Sequence, residues 1–193
     1  WGVFGTSYIL SATEVVGVGP AALGIIAGVG GASSLVGAVV AGRATRRFGL
    51  GPSLIGGMVL FTIGNAFIPL APSGAVAVGA ACLILQQFVA DGGYTVYDIA
   101  EVSLRQSIVD DRLMGRVTAT VNVFTGLVQL IGTIAGGLIA AAFGLRTGLA
   151  LGLVGGVIAT GFLWFSPVRT LRGGMPAPID RALMPGDELP ITE

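Results

Sequence analysis

Five polar side chains interrupt an apolar stretch in the middle of the chain: Gln87, Asp91, Tyr94, Thr95 and Asp98. Their spacings of three, four and seven residues place them on one face of a helix. Counted from Gly74 at about 1.5 Å per residue, Asp91 lies roughly 25 Å into a hydrocarbon layer some 30 Å thick. A carboxylate there costs several kcal/mol unless it faces water, finds a partner or takes up a proton. Two roles fit these residues. Either the face lines a watery pathway in which Asp91 binds substrate or exchanges a proton, or Asp91 is structural, held by Gln87, Tyr94 or a neighbouring helix. Asn122, Phe124 and Gln129 are further cavity candidates, with no specific spacing to commend them. Asp98 and Glu101 lie nearer an interface, and Glu101 precedes Arg105 by four residues, the favourable order for a surface ion pair. Glu14 is expected to be hydrated at the other interface.

The residue inventory excludes most catalysis. The chain has no His and no Lys, and Cys82 is its single thiol. That removes Ser/His and Cys/His nucleophiles, Cys/His zinc sites, lysine Schiff bases and phosphate-binding loops ending in Lys-Ser or Lys-Thr. Cys82, in mid-span, is a small apolar filler. Tyr97-Asp98 resembles the Tyr-Asp pair of intramembrane aspartyl proteases. A carboxylate dyad must, however, share a proton at hydrogen-bonding distance. Asp91 is seven residues away on the same helix, roughly 10 Å along its axis, and no Gly-x-Gly-Asp sequence supplies a partner. The chain is therefore expected not to be an enzyme and to need neither cofactor nor metal.

The elements that carry these residues are membrane spans. Residues 15–42, 48–90 and 117–145 contain no charge except at their borders, 53% of the chain is hydrophobic, and the mean hydropathy is +0.90. About 20 apolar residues suffice for one crossing. Turn residues and Arg clusters divide the chain into six expected helices: Trp1 to Val18, Ala21 to Ala41, Pro52 to Ala71, Gly74 to Ala100, Val117 to Phe143 and Thr147 to Phe165. The expected fold is an all-α polytopic membrane protein, with residues 1–166 as the six-helix unit. Residues 167–193 form an expected disordered tail, since five prolines and four acids follow Ser166. The chain opens on Trp1 within an apolar run, without initiator Met or basic flank, so further residues are expected upstream. Short loops rich in Arg stay cytoplasmic. Arg43, Arg46 and Arg47, then Arg105, Arg112 and Arg116, then Arg169, Arg172 and Arg181 are placed on that side, with Arg146 opposite and both ends of the segment inside. Glycine strips are expected to pack helices closely: Gly144, Gly148, Gly152 and Gly156 on the last helix, Gly24 and Gly28 with Ala32 on the second, and Gly132, Gly136 and Gly137 on the fifth.

Four stretches carry a family resemblance. Gly42 to Gly51 (GRATRRFGLG) resembles the Gly-x-x-x-Asp-Arg-x-Gly-Arg-Arg signature of the major facilitator superfamily: Gly42, Arg47 and Gly49 match, Arg46 stands at the Asp, and Leu50 and Gly51 replace the last two cations. Arg43 lies within the same loop. Ser103 to Val117 is similar to the loop before the eleventh helix in the branch that includes the enterobactin exporter and macrolide-efflux-like proteins. There Leu104, Arg105, Gln106, Asp111, Arg112, Leu113, Gly115, Arg116 and Val117 agree, with Asp110 in place of a proline. Ser166-Pro167-Val168-Arg169 resembles that branch's exit from its last helix, and Gly132 to Gly137 is similar to the Gly-Pro-x-x-Gly-Gly motif of drug antiporters, shifted to the second repeat and with Thr133 for the proline. The resemblance implies helices seven to twelve of a transporter in the inner (plasma) membrane. It implies proton-coupled efflux of an amphipathic small molecule, such as a drug or siderophore. The implied partners are the lipid bilayer, a missing N-terminal six-helix half and a small-molecule substrate, with no nucleic acid. The competing expectation is a six-helix scaffold or homodimerising module that transports nothing.

Overall fold

A chain crossing hydrocarbon must satisfy its backbone hydrogen bonds internally, and the elements of this one are helices. The computed structural model describes residues 1–72 and 74–171. It contains α1 (Gly2–Leu10, continued by a π turn at Ser11–Val15), α2 (Pro20–Phe48), α3 (Leu50–Asn65), the single turn α4 (Phe67–Leu70), α5 (Val76–Ile108), α6 (Asp111–Phe143) and α7 (Leu145–Phe165), then a 3-10 turn at Pro167–Thr170. Of the expected tail, that turn packs on α3. Arg172, Arg181 and the acids from Asp180 onward lie outside the described residues.

Among the described residues five helices are long and apolar enough to cross a membrane: Pro20–Phe48, Leu50–Leu70, Val76–Ile108, Asp111–Phe143 and Leu145–Phe165. The count of six needs correction. The first segment, expected over Trp1 to Val18, is helical only from Gly2 to Val15, short of the roughly 20 residues a span needs. Gly17, Gly19 and Pro20 end it.

The expected loops also need correction, because the helices run through the charges. α2 continues past Arg43, Arg46 and Arg47, α5 past Glu101 and Arg105, and Arg112, Gly115 and Arg116 lie in the first turns of α6. Arg and Glu are good helix formers, and cations in a last turn complement the helix dipole. What ends these helices is backbone geometry. Gly49 (φ 92°) and Gly144 (φ 88°) each form the whole connection between two helices, and their N–H groups donate to Thr45 and Ala140 carbonyls at 3.0 Å. Both sit in the tripeptide Phe-Gly-Leu, at 48–50 and 143–145. Their conformation is essentially restricted to glycine. Gly144 is thus a hinge residue with open space around it, not a packing residue. The remaining break is made by Asp110, whose Oδ1 accepts the Arg112 N–H at 2.9 Å to cap α6.

Packing follows an exchange pattern. α5 lies between α2 and α3, α1 lies between α6 and α7, and α3 touches α7. Matching α1 with α5, α2 with α6 and α3 with α7 maps each of these contacts onto another: α2 on α5 becomes α6 on α1, and α3 on α5 becomes α7 on α1. The contacts of α1, α2 and α3 are thus exchanged with those of α5, α6 and α7.

The tightest interfaces have no side chain on one side. A Cβ on Gly57 would lie 2.6 Å from the Tyr97 nitrogen, and one on Gly64 2.5 Å from the Ala90 nitrogen. Across the other face of α5, Gly37 meets Gly92, and the Ser33 hydroxyl donates to the Phe88 carbonyl. Gly148 is buried, Gly152 faces the Phe4 ring, Gly156 faces Thr62, and Gly132 and Gly136 face Gly2 and Val3. Gly24, Gly28 and Gly137, expected at interfaces, have nothing within 4 Å. The face of α2 that packs is instead Ile26, Gly30, Ser33, Gly37 and Ala41.

Adjacent glycines test this packing. Gly57→Ala is expected to cost about 1–3 kcal/mol by overpacking against backbone that cannot yield, whereas Gly56→Ala, with open space around it, should leave the melting temperature of the full-length protein unchanged or slightly raised. Equal melting temperatures for the two variants would refute the close approach of α3 and α5.

Candidate functional site

The five-residue stripe divides in the folded chain. Asp91 is partly buried, and its Oδ2 accepts a hydrogen bond from Gln87 Nε2 at 3.2 Å. Both side chains lie against Gly30 of α2, in the space a Cβ would occupy. Thr95 packs beside Gly37 and donates its hydroxyl to the Asp91 carbonyl at 2.8 Å. Gln87, Asp91 and Thr95 therefore form a polar seam between α5 and α2. Tyr94, three residues on from Asp91, is turned about 60° round the helix. It is exposed and stacks on Trp1 with ring centroids 6.2 Å apart, with Phe61 at 5.5 Å and Tyr97 at 6.0 Å. Asp98 is exposed, one turn further along.

Tyr94 opens onto a cleft of about 380 Å³ between α1, α5 and α6, lined by Trp1, Gly2, Val3, Tyr94, Phe124, Thr125, Val128, Gln129 and Gly132. This size and mixture suit a small molecule: ligand sites are largely apolar and aromatic, with a few polar groups that set orientation. The α6 wall is more regular than its sequence first suggests. Thr118, Asn122, Thr125, Gln129 and Thr133 recur at four, three, four and four residues, one face of a helix. Thr125 and Gln129 line the cleft, and the Thr133 hydroxyl donates to the Gly2 carbonyl at 3.4 Å. Among these, sequence reasoning singled out Asn122 and Gln129 but overlooked Thr125. The signal it passed over was a line of short hydroxyl and amide side chains.

A second polar contact joins α5 to α3. Gln86 and Asn65 are both buried; Gln86 Nε2 donates to Asn65 Oδ1 at 3.5 Å and Asn65 Nδ2 to the Phe61 carbonyl at 2.9 Å. Gln86 Oε1 has no partner among the described residues. The expected Glu101–Arg105 pair forms at 3.2 Å. Of the loop residues, Arg43, Arg47, Gln106, Asp111, Arg112, Gly115 and Arg116 are exposed, and Arg47 lies over the Phe48 ring at 5.6 Å. Gly42 sits next to the Arg46 guanidinium. Among the described residues no cluster of His, Cys, Asp or Glu could hold a metal ion.

A comparison with protein families adds an independent observation: the model of the Major Facilitator Superfamily matches residues 1–183. No curated protein and no solved structure matches the chain.

The cleft makes an accessibility prediction. In a Cys82→Ala background of the full-length protein, Thr125→Cys should react with a water-soluble thiol reagent, whereas Ala90→Cys, at a position with no exposed surface, should not. Protection at position 125 equal to that at position 90 would remove the cleft as an aqueous site.

Proposed function

We propose, on the premise that this chain belongs to the major facilitator superfamily of membrane transporters, that it is the C-terminal half of a proton-coupled exporter of amphipathic small molecules, such as a drug or siderophore. The observation that carries this reading is the cleft walled by Trp1, Tyr94 and Phe124 and edged by Thr125 and Gln129. Aromatic faces take the apolar part of a substrate, and the amide and hydroxyl orient its polar part. The resemblance of the Ser103–Val117 loop to the enterobactin-exporter and macrolide-efflux-like branch supports the direction and the substrate class.

In this reading Asp91 is the proton-binding group. As a carboxylate it needs the Gln87 donor at 3.2 Å; protonated, it rests against Gly30 as a neutral group. Gain and loss of the proton thus change what the α2–α5 seam must satisfy. On the α2 side the seam has no side chain at Gly30 and Gly37, so Gln87, Asp91 and Thr95 meet bare backbone there. Smooth faces of this kind suit the rocking motions of alternating access. The open faces of α2, with Gly24, Gly28 and Gly31, and of α6 are where the N-terminal half packs. Arg43, Arg46, Arg47, Arg105, Arg112 and Arg116 face the cytoplasm across an inner membrane, and the Arg169 end of α7 lies on that side.

Two measurements test this. In proteoliposomes of the full-length transporter, with ethidium as the fluorescent amphipathic probe, Asp91→Asn should retain exchange down a gradient but lose accumulation driven by a pH gradient. Full accumulation by Asp91→Asn would refute the coupling role. Separately, Arg43→Cys and Asp111→Cys should be labelled by an impermeant thiol reagent only from the cytoplasmic side, and labelling from the opposite side would invert the topology.

A further inference from the structure

α3 and α7 enclose two adjoining grooves lined by residues other than those of the cleft. One, of about 580 Å³, is lined by Pro52, Ile55, Gly56, Val59, Trp164, Arg169 and Thr170. The other, of about 300 Å³, has walls that include Val59, Ile63, Val157, Trp164 and Phe165. They share Val59 and Trp164 and so form one continuous channel along the two helices. From Phe165 back to Val157 the α7 wall runs roughly 12 Å, close to the roughly 15 Å of hydrocarbon in one leaflet.

The polar atoms of this channel are arranged unequally. Along the walls the hydroxyls are satisfied within the protein: Thr62 donates to the Met58 carbonyl at 2.9 Å and lies 3.1 Å from the Thr160 hydroxyl, which donates to the Gly156 carbonyl at 2.8 Å. The walls therefore present an apolar surface to whatever fills them. At the mouth Thr170 spends its hydroxyl on the Pro167 carbonyl at 2.7 Å, so Arg169 is the donor that remains. Arg169 is exposed, has no carboxylate partner among the described residues, and is held in place by backbone. The Gly51 N–H donates to the Leu171 carbonyl at 3.2 Å, fixing the Pro167–Thr170 turn onto the first turn of α3. The start of α3 and the end of α7 meet here with opposed dipoles, which leaves the guanidinium as the net charge at the mouth.

We infer that the α3–α7 channel holds an anionic phospholipid, its phosphate on Arg169 and an acyl chain along Trp164, Val59 and Val157. Charge complementarity selects the headgroup, the apolar length selects a chain, and a tryptophan midway between them lies at the depth where indole rings favour the interface. The site shares no lining residue with the cleft, so the inference does not rest on what the protein transports.

Quenching of Trp164 by brominated lipids reads this site directly. In the full-length protein with its other tryptophans replaced by Phe, brominated phosphatidylglycerol should quench Trp164 at about five-fold lower mole fraction than brominated phosphatidylcholine, the factor that about 1 kcal/mol per cation near a membrane surface supplies. Arg169→Gln should bring the two lipids to parity, while Arg46→Gln, a loss of the same charge outside the channel, should preserve the preference. The inference fails if the parent shows no preference, if Arg169→Gln keeps it, if Arg46→Gln removes it as fully as Arg169→Gln does, or if neither lipid quenches Trp164.

Discussion

Everything else in this bundle depends on how closely α5 approaches α2 and α3. Between helices in lipid there is no hydrophobic drive to association, so contact energy comes from backbone approaching backbone and from a few polar links. Here Gly57, Gly64 and Gly93 open one side of α5 and Gly30, Gly37 and Gly92 the other. The polar links are small: Gln86 to Asn65 toward α3, and Ser33 to the Phe88 carbonyl toward α2. At Gly37, Gly57 and Gly64 an added methyl group would meet main chain, with no flexible side chain to displace, and at these points the interface is specified by absence of bulk rather than by matching shapes.

That approach also decides what the polar stripe can do. With α2 drawn against Gly92, the arc of α5 carrying Gln87, Asp91 and Thr95 is turned into a helix interface, and the arc carrying Tyr94 is left to the cleft. The seam residue Asp91 and the cleft residue Tyr94, to which the proposed function gives proton binding and substrate contact, then share one helix and are separated by less than one turn. A change in seam packing that rotates or slides α5 necessarily moves Tyr94. This is the economy of the arrangement: coupling between the two needs no pathway longer than a single rigid helix.

The exchange of contacts between the two three-helix units is accompanied by a repeated joint. Gly49 and Gly144 close equivalent connections, α2 to α3 and α6 to α7, each within Phe-Gly-Leu and each with φ near 90°. At such a joint the chain passes from one helix to the next through a single residue. The joint at Gly49 also lies beside the Pro167–Thr170 turn, which Gly51 fixes through its backbone. Arg169 at the edge of the α3–α7 groove is thereby tied to the same end of the fold.

By itself the sequence determined the class of the protein, since uncharged runs at 15–42, 48–90 and 117–145 admit only membrane helices, and it determined which residues are polar where polarity is costly. It also carried the Glu101–Arg105 pair, because an i, i+4 relation is settled within one helix. The helix ends and the first span were misread, because hydropathy marks where lipid is and not where a helix stops. Arg43 to Arg47 and Glu101 to Arg105 are hydrophilic yet helical, and the stops are a left-handed glycine and an Asp cap. Only the tertiary structure decided which arc of each helix is covered. Gly24, Gly28 and Ala32 read as a packing strip as well as Gly30, Ser33 and Gly37 do, yet only the second set meets a neighbour. Helical period says which residues share a face, but the face that is buried depends on where another helix lies, and that is a relation between segments far apart in the chain.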